Sequence, residues 1–388
     1  MKFAERMSLL GTETAFEVMA RAKALEAQGK DMIYLQIGEP DFNTPKHIIE
    51  AGIAALRDGQ THYSAPGGIK SLKEAIVKEI ALRRFVEPNV ENIVVTPGAK
   101  PIIFFVLLAL IEAGDEVIYP DPSFPIYESM INFVGGRAVP LPLREENDFR
   151  FDADEFCSLI SKRTRLIILN SPHNPTGGVL SKTDIELVAK VAKENNIMVL
   201  SDEVYKNILY DESEHHSIYS LPDMQQQTIL LDGFSKTYAM TGWRLGFGVM
   251  PVDLAKKIER LMVNSNSCTA TFTQYAGVAA LKGSMKEADS MVETFRQRRD
   301  FIVAGLNKLP GISCFKPKGA FYVFPNVSEL GMRSDELESY FLHEASVALL
   351  SGSAFGKNGE GYLRLSYANS IENIDIALQR MRTAIEKI

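Results

Sequence analysis

The chain has 388 residues, more than one hydrophobic core usually serves, so its length predicts two domains or one large domain with a smaller one attached. Apolar residues at 46% and charged residues at 23% exclude a disordered chain, and a net charge of -7 provides no basic field for a phosphate backbone, which argues against nucleic-acid binding. Three widely spaced cysteines, Cys157, Cys268 and Cys314, suggest neither a disulfide framework nor a metal ligand set and fit reduced thiols in a cytoplasmic protein.

In chain order, the opening stretch MKFAERMSLLGTETAFEVMA contains acids and no continuous apolar run, so it reads as neither signal nor transit peptide. Thr14 to Glu17 forms a capping-box pattern that predicts a helix running to about Gln28, with Gly29 as its stop. From about 45 to 250, β-rich runs alternate with helical patterns, the rhythm of a mostly parallel sheet covered by helices on both faces. The expected strands are NIVV (92–95), EVIY (116–119), RAVPL (137–141), RLIIL (165–169), IMVLS (197–201), TILLD (228–232) and LGFGV (245–249). IIFFVLLALI (102–111) is too short for a membrane span, which needs about 18 apolar residues, and predicts a buried helix. Long helical patterns after 270, the short segments GAFYVF (319–324) and GYLRLSY (361–367), and a closing helix from about 372 predict a smaller α+β domain.

Four turns carry residue types that suit chemistry on an anionic, carbonyl-bearing ligand. Thr96-Pro-Gly98-Ala99-Lys100 lies between a strand and an apolar helix, where small residues let backbone N–H groups approach a phosphate at the helix N-terminus. Ser171-Pro-His-Asn174-Pro-Thr-Gly177 follows RLIIL, and by itself is a tight turn. Asp202-Glu203-Val204-Tyr205 follows IMVLS, which puts a carboxylate at the C-terminal end of a parallel strand, the ligand-binding edge of open α/β sheets. Gly233-Phe-Ser235-Lys236 places one lysine after TILLD and before Gly-Trp-Arg244-Leu-Gly246. An amine that condenses with carbonyls must be partly deprotonated, which shielding from water or a nearby cation such as Arg244 would arrange.

From Gly233 to Gly246 the chain resembles, position by position, the lysine signature of the class I and II aminotransferases, fold-type I enzymes of the aspartate aminotransferase superfamily that use pyridoxal 5'-phosphate (PLP). The likeness extends in the family's order from Gly38 to Arg364. It implies that Lys236 carries the cofactor as a Schiff base, that Asp202 keeps the pyridine nitrogen protonated, and that Tyr205 and Asn174 bond the ring's phenolic oxygen. Gly98, Ala99, Lys100, Ser235 and Arg244 would serve the phosphate, and Phe124 of DPSFPIY would stack on the ring. Gly38 of LQIGEPDF and Arg364 of YLRLS would meet the substrate α-carboxylate, with Asn174 beside them. Tyr63 of HYSAPGG matches a tyrosine that reaches the neighbouring subunit's phosphate, which implies a homodimer with shared active sites. In one departure, Gly233 stands where many relatives have a phosphate-binding serine, leaving Ser235 as the candidate replacement; His173 has no assigned duty.

The implied activity moves an amino group from an L-amino acid to a 2-oxo acid, 2-oxoglutarate above all, by a ping-pong mechanism of aspartate-type or broad specificity. Lys236 would act both as covalent anchor and as proton carrier. A fold-type I PLP lyase or synthase is the alternative. A transcription regulator with an aminotransferase-like effector domain is remote, since only about 30 residues precede the match and none of them suggests a DNA-binding module. The expected divisions are an N-terminal segment (1–44) packing with the small domain, a large PLP-binding domain (45–284) and a C-terminal small domain (285–388).

Overall fold

A computed structural model describes residues 1–388. The first helix, α1 (Thr14–Glu26), buries Val18 and Ala22, one turn apart on a single face, and leads to a two-residue strand, β1 (Ile33–Tyr34). Helices α2 (Lys46–Arg57) and α3 (Lys70–Arg84) precede the large sheet. That sheet contains β2 (Ile93–Thr96), β3 (Glu116–Asp121), β4 (Arg137–Pro142), β5 (Thr164–Asn170), β6 (Met198–Asp202), β7 (Thr228–Gly233) and β8 (Gly246–Val249), the seven runs expected from the sequence.

Its strand order is β2-β8-β7-β6-β5-β3-β4, with β8 alone antiparallel to its neighbours. Strands buried on both faces need apolar side chains on both, which explains why the central runs read as continuous rather than alternating. Helices α4 (Lys100–Leu110), α5 (Ile126–Phe133), α6 (Ala153–Ser158), α7 (Lys182–Asn195), α8 (Val252–Ser265) and α9 (Thr271–Lys282) connect and cover them. The apolar α4 seats Ile102, Ile103, Val106 and Leu107 in one core with Val94, Val117, Ile168 and Leu231 of the sheet.

After the long α10 (Lys286–Leu306) come β9 (Tyr322–Val323), α11 (Ser334–Tyr340), β10 (Val347–Ala348), β11 (Leu350–Ser351), β12 (Leu363–Ser366) and α12 (Ile371–Ile385). Strand β12 lies between β11 and β9, antiparallel to both, while β1 pairs in parallel with β10. The chain's beginning is thus stitched to its end, and Ile33 and Leu35 share a core with Leu363, Leu365 and Tyr367.

The expected capping box at Thr14 is not formed. Glu13 is the cap residue, makes no side-chain capping bond, and turns its carboxylate toward Lys100; Thr14 is already helical. The helix also ends two residues early, at Glu26, before a turn in which Gly29 takes φ 91°. No helix is long and apolar enough to cross a membrane.

Candidate active site

The C-terminal edge of the large sheet sets the stage, because register places Asn170 of β5 beside Asp202 of β6, and Gly233 closes β7. Loops leaving these ends open into a cavity of about 520 Å³. Gly38, Ala99, Lys100, Phe124, Asn174 and Asp202 all face it. So do Tyr205, Ser235, Lys236, Arg244 and Arg364, and together these residues come from seven separate stretches of sequence. Among the sequence-derived candidates Tyr63 stands apart: its side chain is 88% exposed on this chain, and Gly98 meets the cavity through its turn rather than as a wall.

Lys236 sits just past β7, its Nζ donating to the Gly38 carbonyl at 2.5 Å and lying 5.9 Å from the Tyr205 ring centre. Burial pulls its pKa down to about 8, and the cations Arg364, Arg244 and Lys100 act in the same direction while Glu39 opposes them. The amine is therefore partly neutral at the pH of a cell, the condition for attack on a carbonyl.

Asp202 is 5% exposed and accepts from the Tyr127 hydroxyl at 2.7 Å and the Val204 N–H at 3.3 Å. Burial raises its pKa to about 6 although both hydrogen bonds lower it, and no cation pairs with it. A buried carboxylate held by neutral donors is complementary to a cationic ring nitrogen. Tyr127, which aims this carboxylate, escaped the sequence reading although it lies three residues after Phe124; its ring packs edge-on to Phe124 at 6.0 Å.

The Asn170 side chain accepts from the Asn174 N–H at 3.0 Å and donates to the Asp202 carbonyl at 3.1 Å, so one residue fixes two turns. Asn174 Oδ1 accepts from Arg364 Nη1 at 3.2 Å. His173, without assigned duty until now, is buried, contacts Thr176 Oγ1 through Nδ1 at 2.8 Å, and is kept neutral by burial, which drops its pKa to about 3. It braces the turn rather than the cavity.

Arg364 is buried on β12, with Nη2 donating to the Gln36 carbonyl and its guanidinium 4.5 Å over the Tyr322 ring. Its Nε has no hydrogen-bond partner, a donor suited to a planar carboxylate. Tyr322 was not singled out from GAFYVF, yet its hydroxyl meets that of Tyr205 at 2.7 Å, and any side chain at Gly38 would collide with it.

On the other flank, Gly98 adopts φ 91°, and a Cβ there would strike the Arg244 guanidinium. Arg244 thus lies directly on the turn before α4, whose first N–H groups have no intrahelical partner. The Arg244 guanidinium and a helix N-terminus converge here and fit a phosphate, and the buried, cation-free Asp202 fits a pyridine nitrogen, so the cavity's residues match PLP. A side chain at Gly233 would bring its Cβ within 3.3 Å of Ala99 Cβ, so a glycine there lets the turn close on β7. Ser235 lines the same cavity.

The sequence profile described as aminotransferase class I and II matches residues 30–381. Aspartate aminotransferase of Pyrococcus horikoshii is 42% identical over 99% of this chain and 97% of its own length. Aromatic-amino-acid aminotransferase 2 of Thermococcus litoralis is 38% identical over 100% of this chain and 99% of its own. Among solved structures, the Thermus thermophilus aspartate aminotransferase with maleate matches with a TM-score of 0.94 at 34% identity, covering 99% of this chain and 100% of that one. An alanine aminotransferase from Pyrococcus furiosus matches at 0.95 and 33% identity, covering 100% of both chains.

Proposed function

The chain belongs to the class I and II aminotransferase family, and from that premise we propose how its own residues carry out transfer of an amino group from an L-amino acid, aspartate foremost, to 2-oxoglutarate. The observation that supports the reading most directly is the meeting of a partly neutral amine, Lys236, with a buried, cation-free carboxylate, Asp202, and a buried guanidinium, Arg364, in one cavity.

PLP, the cofactor of this enzyme type, supplies when bound an aldehyde for the amino group and an electron sink for the pair left by the Cα–H bond. Lys236 would anchor it, and its partly neutral amine would serve as the base that takes and returns the substrate's Cα proton. Asp202, aimed by Tyr127, would keep a proton on the ring nitrogen; Tyr205 and Asn174 would bond the ring's phenolic oxygen, and Phe124 would stack on the ring. Arg244, Ser235 and the Gly98-Ala99-Lys100 turn hold the phosphate. Arg364 grips the α-carboxylate with Asn174 and the Gly38 backbone, fixing the Cα–H bond within reach of Lys236.

Lys100 projects from the start of α4 beside Phe124, and we assign it to the distal carboxylate of acidic substrates. We further take the enzyme to be a cytoplasmic homodimer in which Tyr63 completes the partner's phosphate site, with divisions at 1–44, 45–284 and 285–388. A panel of amino donors with 2-oxoglutarate, scored for both products, tests the activity, and borohydride reduction of the yellow protein should fix label to a Lys236 peptide. Label on another lysine, or 2-oxoglutarate left unconverted with every donor, would overturn the reading.

A further inference from the structure

Glu13 occupies an unusual place for a helix-cap residue. Its carboxylate makes no capping bond, reaches into the cavity and pairs with Lys100 Nζ. Lys100 makes no other ion pair; its amine lies 5.1 Å from the Phe124 ring centre, and burial and Arg244 both disfavour its charge. A half-buried ammonium in such surroundings needs an anion, and Glu13 provides it. The segment before Glu13 is lightly held: the short helix Glu5–Leu9 buries no residue, and one long-range hydrogen bond, from the Gly11 N–H to Ser129 Oγ at 2.8 Å, ties it down. With both partners partly exposed, an ion pair of this kind is readily exchanged.

We propose that Glu13 is a built-in stand-in for the distal carboxylate of a dicarboxylic substrate. It keeps Lys100 paired while a neutral or aromatic substrate fills the cavity, and it must leave before aspartate, glutamate or 2-oxoglutarate can claim the same amine. Two carboxylates cannot share one ammonium without mutual repulsion, so arrival of an acidic substrate drives Glu13 toward solvent, where the lightly held segment before it can follow. The charge of Lys100 is then compensated with either substrate class, and Glu13 sets the ratio between them. This inference rests on the assignment of Lys100 to the distal carboxylate.

The test uses the PLP-loaded enzyme and its Glu13→Gln, Glu13→Ala, Lys100→Met and Glu13→Gln/Lys100→Met variants. Binding of succinate, a dicarboxylate without an amino group, is measured by calorimetry, and kcat/KM is measured for aspartate and phenylalanine. Removing the competitor should tighten succinate about fivefold and raise the aspartate-to-phenylalanine ratio by a similar factor, the scale of one partly exposed ion pair. Neither change should occur in the Lys100→Met background. If Lys100→Met costs aspartate selectively but both Glu13 variants leave succinate unchanged or weaker, Glu13 is no competitor while the role of Lys100 stands. Tightening that persists without Lys100 would mark Glu13 as a general repulsive charge and overturn the proposal. Equal loss of both donors in Lys100→Met would remove the assignment of Lys100 and the proposal together.

Discussion

An amine on a four-carbon stem is protonated in water at neutral pH, yet Lys236 ends where burial and three cations hold its pKa near 8. Capture of PLP by the apo protein should accordingly speed up with pH and level off, with a midpoint close to 8. Arg364→Leu removes the foremost repelling cation, so stopped-flow absorbance should show that midpoint moving upward; an unmoved midpoint would separate the two groups electrostatically. Asp202 makes the opposite argument about stability. Its folded pKa of about 6 lies above the ordinary carboxylate value, so between about pH 4 and 6 the unfolded chain has lost a proton that the folded chain retains. Stability of the apo protein therefore falls as pH rises through that window, by about 3 kcal/mol on this group's account. Denaturant titrations at pH 4 and 7 should show that the penalty is absent in Asp202→Asn, and that PLP restores stability at pH 7 in the parent more than in the variant. Parallel pH profiles for both apo proteins would sink the claim.

At the scale of elements, the strand-to-helix turn before α4 depends on Gly98. Substitution by alanine meets both a positive φ and the Arg244 guanidinium, so Gly98→Ala should displace Arg244 and weaken PLP binding at least tenfold, about 1.4 kcal/mol, while the far-UV dichroism stays native. Unchanged cofactor affinity in equilibrium dialysis would detach the turn from the phosphate. The strands of the large sheet other than the edge strand β4 were legible because double-sided burial demands continuous apolar runs bounded by turns; β4, mostly exposed or half-buried, was legible from its place in the alternation of strands and helices. The two-residue strands β1, β10 and β11 were not, since two residues cannot display a period and their pairing is decided by partners far along the chain. Lys236, Asp202, Asn174 and Arg364 stood out because each lies in an ordered motif. Tyr127 and Tyr322 did not, because an aromatic residue in an apolar run looks like core until its hydroxyl is seen to reach a carboxylate or another tyrosine. The false capping box at Thr14 has a like cause: the pattern is local, whereas the carboxylate of Glu13 answers to Lys100.

For the molecule as a whole, Tyr63 is a sequence-derived candidate without a role in the single chain: it is 88% exposed and does not line the chain's own cavity. If a partner covers it, sedimentation should give twice the 43.1 kDa chain mass, and Tyr63→Phe should loosen PLP without dissociating the dimer. A monomer with full cofactor affinity would reject the shared site. The parallel pairing of β1 with β10 also has a consequence for how the protein is made. Asn369 completes this stitch by donating to the Tyr34 carbonyl across 335 residues of chain. At translation rates of about 5–20 residues per second, the opening strand emerges tens of seconds before its partner exists. The strand's Ile33 and the adjoining Leu35 must wait on the ribosome without their final neighbours, a period in which a chaperone that binds short extended segments would find them.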